Sequence, residues 1–182
     1  MQKKKIVIAV IILAAAAVLA GPVYRYITEV YLPVITPKSA AGKPAPEEYF
    51  IDMDGNELCL SDFLDGSKPV VMNFWAVDCP PCVHELPTFN KLIPDYSDKV
   101  TFLMVNCVDG SRDTVESATA YYEEMGFTFP LYFDITYSAA DGYNVAEYPE
   151  TVFIKADGTI KGTFSGSIPE NVLKSNVQEL LK

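Results

Sequence analysis

The sequence predicts an α/β domain in which a central mixed sheet is flanked by helices. Residues 68–75 and 100–107 are continuous apolar runs, which are typical of strands that are covered on both faces. Helical patterns alternate with these strands, and the chain ends in a hairpin pattern and a last helix. This order favours a sheet with helices on both faces and an antiparallel hairpin at one edge.

The first 24 residues carry a targeting pattern. Three lysines precede an uninterrupted apolar run over residues 6–20. A Lys-rich start keeps the N-terminus inside and directs the chain that follows across the membrane. We therefore expect a cytoplasmic basic start (1–5) and a single transmembrane anchor (6–24) in the cytoplasmic membrane. If the chain is cleaved after Ala20, this segment is instead a signal peptide and the protein is secreted.

A proline-rich stretch follows, and residues 25–45 are predicted to be a flexible tether that leads to one extracytoplasmic domain over residues 46–182. Without the three N-terminal lysines, the chain has 11 basic and 24 acidic residues. This acidity argues against nucleic acid as a partner and leaves the N-terminal segment as the only expected contact with the membrane.

The first half of the domain is predicted from turn and helix signals. An N-terminal hairpin has Asp54-Gly55 at its turn. After the first buried strand, residues 79–96 have a helical pattern that Pro87 interrupts. In the next helix, Asp113 and Glu116 form a capping-box pattern.

The second half begins with a short strand over residues 131–133 and a brief helix from about Ser138. TVFIKADGTIKGTF is typical of a hairpin with Asp157-Gly158 at its turn. The pattern Ser167-x-x-Glu170 predicts the start of a last helix that ends near Leu181.

The segment FWAVDCPPC contains the closest pair of cysteines, Cys79 and Cys82. Cys79 follows a buried strand and opens a helix, where the helix dipole and free amides favour a thiolate. Cys82 lies one turn further on and can close a disulfide and resolve a mixed disulfide. The alternatives are a permanent disulfide, whose small loop removes little unfolded-state entropy, and a metal site, which lacks a second paired motif.

FWAVDCPPC resembles the FWAxWCxxC signature of thioredoxin-like proteins. The continuation Cys82-x-x-Glu85-x-Pro87 is similar to the TlpA/ResA group of membrane-anchored thiol-disulfide oxidoreductases. GFTFPLYFD and YNVAEYPETVFIKADGTI resemble two further segments of that group, and the likeness runs from about Ala45 to Lys182. It implies a thioredoxin-like fold with a central TlpA-type insertion of one strand and one helix.

The same resemblance implies an enzyme, a protein-disulfide reductase that uses the Cys79/Cys82 pair as a redox-active disulfide and needs no bound cofactor. Its electrons are expected from a CcdA/DsbD-like membrane thiol carrier. Its clients are expected to be exported proteins such as apocytochrome c or a methionine sulfoxide reductase. Two rival functions stay open, a disulfide-forming oxidase and a non-catalytic binding or metal-carrying domain on the same fold.

The resemblance also implies roles for four residues outside the cysteine pair. Pro149 is the expected cis-proline facing the site, and Tyr148 offers backbone groups to an extended substrate, although Pro149 also fits an ordinary turn. Glu85 is the expected acid that exchanges protons with Cys82, and the alternative is a solvated helix residue. Trp75 either covers the substrate site or packs in the core.

Three departures from the family pattern concern charge at the site. Asp78 replaces a common aromatic residue, and its carboxylate is expected to raise the pKa of Cys79 unless it points away. Asn73 occupies the place of the buried acid of ordinary thioredoxins, so that role does not transfer. His84 is either an exposed bystander or a residue that tunes the site.

The remaining cysteines, Cys59 and Cys107, lie in separate apolar stretches. They are predicted to be buried free thiols or, alternatively, a structural disulfide between the N-terminal hairpin and a central strand. Neither is assigned to the catalytic site.

Overall fold

The computed structural model describes residues 41–182, which form one seven-stranded sheet and four α-helices. The strands in chain order are β1 (Tyr49–Asp52), β2 (Glu57–Cys59), β3 (Val70–Trp75), β4 (Thr101–Cys107), β5 (Leu131–Asp134), β6 (Glu150–Ile154) and β7 (Ile160–Ser165). The helices are α1 (Pro80–Tyr96), α2 (Val115–Glu124), α3 (Ser138–Gly142) and α4 (Glu170–Leu180).

The sheet is mixed, with strand order β2-β1-β5-β4-β3-β6-β7. The three central strands β5, β4 and β3 are parallel, and the remaining neighbours pair antiparallel. The carboxyl ends of the parallel strands therefore meet at one end of the sheet, where Trp75 pairs with Asn106 and Cys107 with Asp134. In α/β sheets, this end is where functional groups collect.

Helices cover both faces of the sheet, as the alternation of patterns predicted. Every residue of β3 is buried. On one face, Phe74 packs against Tyr143, which follows α3, with ring centroids 5.5 Å apart. On the other face, Asn73 contacts Glu85 of α1. Burial on both faces explains why β3 and β4 are mostly apolar.

The first helix differs from the prediction because it is continuous through Pro87 and also contains Pro94. Pro87 is exposed, and the opposite side of α1 buries Leu86, Phe89 and Leu92 in the core. Packing of an apolar face contributes most of the stability of a helix in a protein, so it outweighs the amide that a proline lacks.

The capping residues of two helices also differ from the prediction. The N-cap of α2 is Thr114, whose hydroxyl accepts a hydrogen bond from the Ser117 amide at 3.1 Å, while the Ser117 hydroxyl accepts one from the Thr114 amide at 2.9 Å. This capping box lies one residue later than the predicted one and leaves Asp113 free for another contact. The N-cap of α4 is Pro169, so the predicted cap at Ser167 does not form.

The last residues of the predicted tether belong to the folded domain. The Gly42 amide donates to the Ile160 carbonyl at 2.8 Å, and the Ala45 amide donates to the Gly158 carbonyl at 2.9 Å. The predicted basic start, the anchor and residues 25–40 of the tether lie outside the described residues. Within residues 41–182, no helix is long and apolar enough to cross a membrane.

Candidate active site

Cys79 and Cys82 form a disulfide at the start of α1, with their Cα atoms 5.2 Å apart. Cys79 is the N-cap residue in an extended conformation, and its sulfur accepts a hydrogen bond from the Cys82 amide at 3.3 Å. Pro80 and Pro81 occupy the first helical positions, where an amide has no partner within the helix. Cys79 is half-buried whereas Cys82 is 0% exposed, so Cys79 is the accessible sulfur of the pair.

Glu85 lies one turn beyond Cys82 and is buried, at 2% exposure. Its Oε1 accepts a hydrogen bond from Asn73 Nδ2 at 2.8 Å, and its Oε2 accepts one from the Ile168 amide at 2.7 Å. Burial outweighs both bonds and raises the pKa of Glu85 to about 7. The solvated alternative for Glu85 is therefore wrong, and this carboxyl group can both accept and release a proton near neutral pH.

Asn73 supports this acid from the sheet. Its amide nitrogen is shared between Glu85 and Thr151, at 3.1 Å from the Thr151 hydroxyl oxygen. Asn73 is itself 0% exposed. At the position where ordinary thioredoxins have a buried acid, this chain thus has a neutral side chain that orients the carboxyl group of Glu85.

A cavity of about 320 Å³ reaches Glu85 from the surface between α1 and the loop before α4. Its lining includes His84, Thr88 and Ser167. His84 is exposed. A cavity of this size has room for water, so a proton can pass between the buried carboxyl group and solvent.

The peptide bond between Tyr148 and Pro149 is cis. Pro149 is buried and Tyr148 is half-buried. The Tyr148 side chain contacts the thiol of Cys107, which is 1% exposed and whose pKa burial raises to about 12. Cys107 is therefore a neutral thiol next to the residue that precedes the cis-proline.

Cys59 and Cys107 are both free cysteines, so the alternative of a structural disulfide between them is not realised. The Cys59 sulfur lies 3.3 Å from Asp62 Oδ2 and 3.4 Å from the Ser61 hydroxyl, at the end of β2. Cys107 ends the central strand β4. Cys107 is a buried free thiol, as predicted, whereas Cys59 is only half-buried.

Trp75 has no exposed surface, at 0%. Its ring lies 6.4 Å from that of Tyr121 of α2, centroid to centroid. A side chain without solvent-accessible surface cannot touch a bound substrate, so the core-packing interpretation of Trp75 holds and the substrate-covering one does not.

The Asp78 side chain forms an ion pair with Arg112. Its Oδ2 lies 3.0 Å from Arg112 Nη1, and both side chains are partly exposed. The negative charge next to Cys79 is therefore partly compensated, which the sequence pattern did not indicate. The partner belongs to the loop between β4 and α2.

The same loop supplies a residue that the sequence analysis assigned to a different role. Asp113 is 1% exposed, and its Oδ2 accepts a hydrogen bond from the Val77 amide, two residues before Cys79. Its position before a helix suggested an N-cap. No local signal distinguishes this contact, because the two partners lie 36 positions apart in the sequence.

Among residues 41–182, no group of three or more His, Cys, Asp or Glu side chains is arranged to hold a metal ion.

The sequence of the chain is similar to those of known redox proteins. Residues 41–163 match the AhpC/TSA family. The chain is 32% identical over 154 residues to the thiol-disulfide oxidoreductase ResA of Geobacillus kaustophilus, covering 83% of this chain and 85% of that protein. It is 29% identical over 136 residues to the thioredoxin-like protein YneN of Bacillus subtilis, covering 75% and 78% of the two chains.

Solved structures agree on the fold. A thiol:disulfide interchange protein of the thioredoxin family from Chlorobium tepidum superposes with a TM-score of 0.65 at 23% identity, covering 76% of this chain and 96% of that one. StoA from Bacillus subtilis gives 0.62 at 24% identity, covering 73% and 98%. These similarities establish a thioredoxin-like α/β fold with a mixed sheet.

Proposed function

The chain belongs to the AhpC/TSA family and, within it, to the ResA/TlpA-type thiol-disulfide oxidoreductases, and on this premise we propose that it is a disulfide reductase for exported proteins. That it is a protein-disulfide oxidoreductase follows from its relatives. The proposal adds the direction of electron flow, the compartment and the clients. We take α2 and β5 as the central TlpA-type insertion.

One observation carries the proposal: an accessible cysteine is paired with a buried one, and a buried acid with a pKa of about 7 lies one turn further on. In the reduced protein, the Cys79 thiolate attacks a client disulfide, forms a mixed disulfide and releases one client thiolate. Cys82 then transfers its proton to Glu85 and attacks Cys79 Sγ. The client leaves with both sulfurs reduced, and the Cys79–Cys82 disulfide remains as the product.

The remaining parts of the proposal come from the family. Residues 6–24 anchor the protein with its N-terminus inside, and the domain acts outside the cytoplasmic membrane. No bound cofactor is required, because the disulfide carries the two electrons. A CcdA/DsbD-like membrane thiol carrier reduces the disulfide again. Apocytochrome c or a methionine sulfoxide reductase is the client, with Tyr148 and Pro149 contacting the client chain and His84 at the rim of the cavity.

Trapping of mixed disulfides tests this proposal directly. Cys82→Ala in the full-length chain cannot resolve the mixed disulfide, so client and electron donor stay attached to Cys79 and are identified by mass spectrometry. Cys79→Ser is the matched control and should trap nothing. Recovery of no exported protein with Cys82→Ala would contradict the proposal.

The reduction potential separates a reductase from an oxidase. A strong disulfide oxidant has a reduction potential of about −120 mV. Equilibration of the purified protein with glutathione or dithiothreitol buffers should give a potential well below that value. A potential in that oxidising range would support the oxidase alternative. Failure to reduce any disulfide substrate would support the non-catalytic one.

A further inference from the structure

The backbone directly before Cys79 is held by a side chain from a distant loop. Asp113 Oδ2 accepts a hydrogen bond from the Val77 amide. This carboxyl group is 1% exposed. A buried carboxylate holds a backbone amide strongly, because a charge-assisted hydrogen bond is stronger than a neutral one.

The loop that carries Asp113 is itself ordered. Asp109 Oδ1 accepts hydrogen bonds from the amides of residues 111–113 at 2.8 to 2.9 Å. The Asp109 amide donates in return to the Asp113 carbonyl at 2.9 Å. Residues 109–113 thus form a closed turn, and the position of the Asp113 carboxyl group is set by this turn.

The charged and titratable groups around Asp113 come from four parts of the fold. They are Asp78 before α1, Asp109 and Arg112 in the same turn, Cys107 on β4, and Tyr137 before α3. The only cation among them is Arg112, whose side chain is 76% exposed, so water screens its charge. Burial raises the pKa of Cys107 and of Tyr137, so both are neutral near pH 7.

We propose that Asp113 is a positioning residue for Cys79, which fixes the Val77 amide and limits the ionisation of the Cys79 thiol through its buried charge. The inference rests on the proposed role of Cys79 as the nucleophile. Burial raises the pKa of Asp113 above its ordinary value of 3.8, and the amide donors oppose that rise.

This arrangement has a consequence for the direction of electron flow. In the reduced protein, the N-terminus of α1 stabilises a thiolate at Cys79, and the Asp113 carboxylate opposes it. A thiolate that is harder to form leaves the reduced state less favoured, which lowers the reduction potential. Asp113 therefore biases the pair towards donating electrons, in line with the reductase proposal.

The test measures the pKa of Cys79 in the reduced protein from the pH dependence of alkylation by iodoacetamide, with mass spectrometry to identify the modified cysteine. Asp113→Asn keeps an acceptor for the Val77 amide but removes the charge. We expect the pKa of Cys79 to fall and alkylation at pH 6 to become about threefold to tenfold faster.

Two comparison variants separate charge from structure. Asp134→Asn removes a carboxylate that is 0% exposed and accepts a hydrogen bond from the Ala140 amide at 2.8 Å, at the end of the neighbouring strand. It should leave the pKa of Cys79 unchanged. Asp113→Ala removes the acceptor as well, so the Val77 amide should lose protection from hydrogen exchange in this variant and keep it in Asp113→Asn.

The outcomes are distinct. An unchanged or higher pKa of Cys79 in Asp113→Asn, or an equal fall in Asp134→Asn, overturns this inference alone. Preferential labelling of Cys82 in the wild type overturns the proposed nucleophile and the inference with it. The wild type offers a test without substitution: in carbon NMR, the Asp113 carboxyl signal should show a second titration step at the pKa of Cys79. Absence of that step from the reduced protein also overturns the inference.

Discussion

The two buried carboxyl groups beside the disulfide are held in different ways. Glu85 follows the buried sulfur of Cys82, and its hydrogen-bond donors come from a side chain of the sheet and from the loop before α4. Asp113 faces the chain before Cys79, and the backbone amide of Val77 is its donor. Glu85 also lines a cavity open to solvent. The difference teaches that one carboxyl group is placed to exchange a proton and the other to hold backbone and charge.

The largest expected effect is the loss of turnover when Glu85 can no longer exchange a proton. Glu85→Gln preserves size and one of the two acceptor oxygens but cannot take the proton of Cys82, so turnover of a protein disulfide at pH 7 should fall about 100-fold or more. Steady-state kinetics across pH measure this loss. Glu170→Gln is the control, because Glu170 lines the same cavity but is not buried. Wild-type turnover in Glu85→Gln would show that Glu85 moves no proton in the reaction.

The next effect concerns stability. Glu85 has an ordinary pKa of 4.5 and a folded-state pKa of about 7, so the folded protein binds more protons than the unfolded chain between these values. The free energy of unfolding therefore falls as pH rises through this window, by about 3 kcal/mol at most. Urea denaturation of oxidised wild type and Glu85→Gln at several pH values measures the difference. Identical pH dependence of the two proteins would contradict the raised pKa.

A smaller effect is expected when Asn73, which donates a hydrogen bond to Glu85, is replaced. Asn73→Ala removes hydrogen bonds to Glu85 and Thr151 in the core, which should cost about 1 to 3 kcal/mol of unfolding free energy and raise the pKa of Glu85 further. Thr151→Val removes one partner only and should cost less. Denaturation measures the loss of unfolding free energy, and the pH dependence of turnover measures the change in the pKa of Glu85. A pKa of Glu85 that falls in Asn73→Ala would reverse our reading of this hydrogen bond.

The smallest effect lies at the exposed ion pair. Asp78→Ala should lower the pKa of Cys79, and Arg112→Ala should raise it. Each substitution should change the alkylation rate of Cys79 by less than about threefold. Both side chains are partly exposed and paired, so solvent screens them. Alkylation kinetics of the two single variants and the double variant check this. A larger effect of Asp78→Ala than of Asp113→Asn would show that the exposed acid controls the site.

Much of the fold was predictable because its signals are local. The strands β3 and β4 are mostly apolar, and Cys79 lies at the junction of a buried strand and the helix that contains Cys82. The start of α2 was not predictable to the residue. Asp113 and Thr114 are both good N-cap residues with similar energies, so a pattern cannot choose between them.

At the site, residues inside the family motif were found and the contacts between distant loops were not. Glu85 was identified from its spacing to Cys82, but its burial depends on Asn73 and Ile168, which come from other elements. The compensation of Asp78 by Arg112 was missed for the same reason. The sequence pattern therefore indicated Asp78, which is next to Cys79 along the chain, and the structure adds Asp113, a buried acid that binds the Val77 amide.

The attachment of residues 42–45 to the β6–β7 hairpin has a mechanical consequence. Gly42 and Ala45 bind near Gly158 and Ile160, beyond the end of β6 that pairs with Val70. Cys79 follows the opposite end of β3, about 20 Å away along a six-residue strand. Tension applied through the N-terminal side of the chain therefore acts first on these contacts with the hairpin, at the end of the sheet opposite to the redox pair.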